Sequence, residues 1–113
     1  MSLKLNRAST TASVTIASGD TSSGVLVLDG YAMGMVHLPS TYDGTAMTFT
    51  VAPTYGGTYV ALEDSAGASV SLVVEASKAY ALPEALFGAP YCKLVSGTSQ
   101  STTDTVIAVT LRG

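Results

Sequence analysis

Short runs in which apolar and hydroxyl-bearing side chains alternate, interrupted at about 8 to 12 residue intervals by Gly, Pro or Asp, constrain this chain more than any other feature. The clearest lies in residues 33–51, MGMVHLPSTYDGTAMTFTV, where Met47, Phe49 and Val51 alternate with Thr48 and Thr50 after a polar segment containing Pro39 and Asp43-Gly44. A period of two places one set of side chains on a buried face and the other in water, which a strand satisfies and a helix does not. The same alternation returns at Val14 and Ile16, at Val70, Leu72 and Val74, and at Ile107, Val109 and Leu111. Residues 25–28, 33–38, 59–63, 80–82 and 91–95 supply further short extended runs.

Turn chemistry separates these runs. Ser18-Gly19-Asp20-Thr21, Asp29-Gly30, Pro53-Thr54-Tyr55-Gly56-Gly57 and Asp64-Ser65-Ala66-Gly67 each combine a residue that bonds its own backbone with a glycine free to take positive φ. Residues 83–87 predict a single helical turn, with Pro83 in the first turn and Gly88 just beyond the end. Eight or nine short strands without a long amphipathic helix predict an all-β chain, an antiparallel β-sandwich with jelly-roll-like connections, and exclude a parallel βαβ design. The body spans residues 12–113. Residues 1–11 are polar and irregular apart from Met1, Leu3 and Leu5, and are expected to form an extended arm.

The chain has 113 residues, enough for one core and too few for two. It is 47% hydrophobic yet only 12% charged, with Ser and Thr supplying most of the polarity. Such a surface repels its neighbours weakly and suits a protein packed into an assembly, or one that meets carbohydrate. The net charge is −3, with no basic stripe and no interleaved aromatic patch, so a phosphate backbone finds no electrostatic footprint and no direct nucleic-acid partner is expected. Residues 1–11 read neither as a signal peptide nor as a membrane anchor, and no apolar run approaches the ~18 residues of a membrane span. The chain is expected to be made and kept soluble.

Little here points to chemistry. Cys92 stands alone and shares a face with Leu94, as a small buried hydrophobe does. His37, the one histidine, is expected on the wetted side of its strand. Glu63 and Asp64 are neighbours at a strand end and point to opposite faces. Asp20, Asp43, Glu63, Asp64 and Asp104 are dispersed in turns without the spacing of a calcium loop. No catalytic residue, metal or cofactor is expected.

Several segments together carry a family resemblance: LPSTYDGTAMTFTV, GGTYVALEDSAG, the YALP segment at Leu82-Pro83, KLVSGTS, and a closing apolar strand ending in Arg112. In this order they resemble small structural proteins that tailed bacteriophages and prophages encode near their head genes. The resemblance covers the body from about Gly34 onward, leaves residues 1–11 uncovered, and rests on apolar and turn positions. It implies a jelly-roll virion component, a capsid decoration or cement protein on the capsid exterior. The implied partners are the major capsid protein or other virion proteins, together with copies of itself as a trimer or dimer. For that role Leu3 and Leu5 are candidate anchors, and Lys4 and Arg7 candidate cations facing acidic capsid residues. Tyr42, Tyr55 and Tyr59 form a second candidate patch, because tyrosine joins apolar area to a hydroxyl. The alternative is a carbohydrate-binding module of a tail or adhesion structure, with Tyr31, Tyr42, Tyr55 and Tyr91 stacking on sugars and residues 96–104 bonding their hydroxyls.

Overall fold

The computed structural model describes residues 9–100 and 104–113. Among the described residues nine strands form, in the order β1 (Ser9–Ile16), β2 (Leu26–Val27), β3 (Met33–His37), β4 (Ala46–Ala52), β5 (Val60–Ala61), β6 (Ser71–Val73), β7 (Ala79–Ala81), β8 (Tyr91–Ser96) and β9 (Thr105–Arg112). A 3-10 turn, Glu84–Gly88, follows Pro83 where the sequence places its one helical turn. It buries Leu86 completely.

The strands build two antiparallel sheets. The first has the order β1-β9-β3-β7, and the second runs β2-β8-β4 with β5 and β6 both on the far side of β4. β5 and β6 are two pieces of one edge: β5 pairs with Thr50 and Val51, β6 with Ala46 to Thr48. Between them the chain leaves the sheet as a small hairpin, bridged at Glu63 and Ser69. Asp64 closes its tip, Oδ1 accepting from the N–H groups of Ala66 and Ala68 at 2.8 and 3.0 Å, with Gly67 at φ +82°. With β5 and β6 counted as one interrupted strand, the order is that of an eight-stranded jelly roll.

Alternate side chains meet between the sheets. Val14, Ile16, Val36, Ile107, Val109 and Leu111 come from the first sheet; Leu26, Met47, Phe49, Cys92 and Leu94 come from the second. The period-2 reading of the sequence therefore assigns the inner face of β4 and β9 correctly. Gly34 sits where there is no room: a Cβ there would lie 2.7 Å from the Thr110 carbonyl oxygen and 2.8 Å from Leu111.

One boundary differs from expectation. Ser9, Thr10 and Thr11, assigned from sequence to the arm, are the first residues of β1 and lie opposite Arg112, Leu111 and Thr110. The run lacks bulky apolar alternates because its outer side chains face solvent and Ala12 is its first inward contact with the core.

Candidate interaction faces

The outer face of the first sheet is nearly free of formal charge. Registers place Ser13, Ala108, His37 and Ala79 in one row across the four strands, and Thr11, Thr110, Met35 and Ala81 in the next; Ser9, Arg112 and Met33 follow. Arg112 is the one full charge in these rows. His37 lies on the wetted face as expected, its Nε2 3.5 Å from Thr110 Oγ1. Met33 and Met35 are 51% and 42% exposed, and with Ala81, Leu82 and Gly34 they line a shallow apolar depression of about 480 Å³. Methionine adapts its shape to whatever it meets, which suits a contact surface.

The outer face of the second sheet carries a tyrosine cluster. The turn after Pro53, held by the Gly57 N–H on the Thr54 carbonyl at 3.1 Å, folds Tyr55 and Tyr59 against β8. Tyr55 and Tyr91 meet edge to face, with ring centroids 5.7 Å apart and planes at 87°. The Tyr59 hydroxyl donates to the Tyr55 carbonyl at 2.8 Å, and the Lys93 ammonium sits 4.6 Å from the centre of the Tyr59 ring. Loss of solvation by neighbouring groups raises the Tyr59 phenol above its ordinary range, with Tyr55, Cys92 and Tyr91 adding to the rise. Val60 and Val73 stand exposed along the same edge, Val73 at 85%.

Of the residues singled out from sequence, Tyr55 and Tyr59 come together, joined by Tyr91 and Lys93. Tyr42 does not belong with them. It is buried in the core and donates its hydroxyl to the Ala46 carbonyl at 3.0 Å. Burial pushes its phenol pKa up, an effect the Ser96 hydroxyl opposes. The assignment of Tyr42 to a contact patch is therefore corrected: the turn after Pro39, closed by the Tyr42 N–H on the Pro39 carbonyl, tucks the ring inward. Leu3, Lys4, Leu5 and Arg7 lie outside the described residues.

Sequence reasoning missed Gln100, the polar hub of the molecule. Its side chain is fully buried. Oε1 accepts from the Asp43 N–H and the Thr105 hydroxyl, both at 2.9 Å, while Nε2 donates to the Asp43 carbonyl, Ser96 Oγ and the Thr98 carbonyl at 3.0 to 3.2 Å. The side chain thereby ties the Asp43 turn to the segment around Ser96 and Thr105, and the Gln100 backbone, bonded to Gly19 and Asp20, adds the turn after β1 at the same end of the sandwich. Ser96 and Gln100, from the hydroxyl-rich loop offered to sugars, spend their hydrogen bonds inside the protein. Tyr55 and Tyr91, edge to face, present no common flat surface.

Cys92 and His37 do not meet: the thiol faces the core of the second sheet and the imidazole faces solvent from the first. Burial pushes the Cys92 thiol up to about 12. Because the thiolate is the nucleophile, the folded protein is expected to resist iodoacetamide at pH 8 and to react once denaturant is added. Stoichiometric labelling of the native state would contradict the burial. The folded thiol also holds its proton where an unfolded one releases it, so this contribution to stability falls as pH climbs from 9.0 toward about 12.

Among the described residues no three His, Cys, Asp or Glu side chains gather as a metal site would require. Among the described residues no helix is long and apolar enough to cross a membrane. No family model, curated protein or solved structure matches this chain.

Proposed function

We propose that this chain is a structural virion protein of a tailed phage, a capsid decoration or cement protein that binds neighbouring shell subunits and performs no reaction. The observation that carries the proposal is the pair of weakly charged outer faces, with Met33 and Met35 exposed on one and the Tyr55, Tyr59, Tyr91 cluster with Val73 on the other. Surfaces of this composition lose little by desolvation and bury apolar and aromatic area on contact. The head-gene resemblance adds to it, its segments falling on β4, β5, β7, β8 and β9 and on the turns beside them.

The mechanism is mechanical. An interface of standard size buries ~1,600 Å², and every such contact must be broken before capsomers separate. Repetition over a shell makes the effect cumulative. Residues 1–8 supply a second contact, with Leu3 and Leu5 seated on apolar capsid surface and Lys4 and Arg7 on its carboxylates.

Co-sedimentation with empty heads assembled from the capsid protein of the encoding genome tests this. The full chain is expected to travel with the heads. A chain beginning at Ser9 is expected to bind at least tenfold more weakly, and heads carrying the protein to withstand heating that opens bare heads. Protein left wholly in the supernatant, or retention on a glycan array in its place, would overturn the assignment.

A further inference from the structure

A sheet edge offers a row of unpaired N–H and C=O groups to any other strand, and proteins that stay monomeric shorten, interrupt or charge their edges. Three of the four edges here are treated in that way. β2 has two residues and β7 three, and β7 is flanked by the Lys78–Glu75 ion pair at 2.7 Å. The third edge is broken into β5 and β6 by the hairpin at Asp64.

β1 is the exception. It runs for eight residues, STTASVTI, with no charge, no proline and no break in its register with β9. The Thr15 carbonyl points away from β9, since it accepts from the Gly24 N–H at 3.2 Å. By the two-residue repeat of a strand, the backbone groups of Ser9, Thr11 and Ser13 point the same way. No described residue bonds them.

We infer that this edge is the seat of a homodimer, in which β1 pairs antiparallel with β1 of a second copy about a two-fold axis at Thr11 and joins two four-stranded sheets into one. Self-pairing requires a surface complementary to itself. β1 meets that requirement: with Thr11 opposite Thr11 and Ser9 opposite Ser13, odd residues face odd residues, so the hydrogen-bonding groups of each strand meet those of the other. The same register keeps both outer faces on one side and puts hydroxyl side chains across from hydroxyl side chains, a favourable cross-strand pair. No like charges are brought opposite one another. The pairing concerns the free protein and stands whether or not the chain seats on a shell.

Sedimentation equilibrium of the purified full chain, without capsids, tests it directly. The wild type is expected at twice the 11.4 kDa chain mass. Thr11→Lys, which sets two ammonium groups against each other at the axis, and Thr11→Pro, which removes an N–H from the open edge and leaves the bonds to β9 in place, are each expected at one chain mass with the wild-type far-UV circular dichroism. In hydrogen exchange the Thr11 and Ser13 amides are expected to be slow in the wild type, and the Ser13 amide fast in Thr11→Pro. A wild type that stays at one chain mass at the highest soluble concentration overturns the inference. So does a trimer, a dimer that survives both substitutions, or a dimer whose Thr11 and Ser13 amides exchange as an open edge would.

Discussion

Gln100→Leu is expected to lower the unfolding free energy by about 3 kcal/mol, since each buried group that loses its partner costs ~1–3 kcal/mol. The side chain is fully buried, and leucine matches its bulk while offering neither donor nor acceptor. The Asp43 N–H and the Thr105 hydroxyl each lose the acceptor at 2.9 Å that Oε1 provides. Ser96 Oγ and the Thr98 carbonyl lose a donor. The backbone of Gln100 stays bonded to Gly19 and Asp20, so the loops remain in place and the penalty falls on unpaired groups. Urea unfolding is the measurement, read as a lower midpoint at unchanged slope. A loss under ~1 kcal/mol would mean that water replaces the amide, and that the network is not what closes this end. Gln100→Glu separates charge from shape. Burial raises the folded-state pKa of the introduced carboxyl, so this variant is weakest at neutral pH and recovers on acidification as the group takes up a proton.

Phe49→Ala is expected to cost about 4 kcal/mol, within the range for a buried Phe cut back to Ala. Phe49 is the largest fully buried side chain, at the centre of β4 and opposite Leu94 on β8, with the first sheet across the core. The neighbouring side chains are held on paired strands, so the space is expected to close only in part and to leave a cavity. Val73→Ala is the control. The same kind of truncation at a side chain 85% exposed is expected to change stability by less than ~0.5 kcal/mol. Equal losses at the two positions would contradict the assignment of inner and outer faces.

The core was legible because its signal is local. Met47 and Phe49, and Ile107, Val109 and Leu111, announce a buried face by alternation alone, and both sets are buried. The helical turn was legible in the same way, from Pro83 and Gly88. Tyr42 escaped because its residue type suits a core as well as a surface, and the turn after Pro39 decides between them; Gln100 escaped because its burial is decided by contacts between distant segments. The partners of Gln100 include Asp43, 57 residues away, and nothing in a run of Ser and Thr distinguishes the one amide that turns inward. β1 escaped in part because an edge strand needs less apolar surface than a central one, so its first residues resembled a tail. The candidate faces gave only half their content: Tyr55 and Tyr59 were marked by residue type. Met33 and Met35 looked like any other extended apolar run until the register placed them outward.

The pairing of β1 with β9 sets an order of events for a growing polypeptide. Ser9 lies opposite Arg112, so β1 finds its neighbour only after every strand from β2 to β8 has been made. Until then the inward side chains of Val14 and Ile16 have no sheet to lie in. Closure between such remote stretches is slow and leaves intermediates open to association with other nascent chains. Cells producing this protein quickly would thus hold a standing pool of unclosed molecules, whose yield depends on how well chaperones shield that early strand.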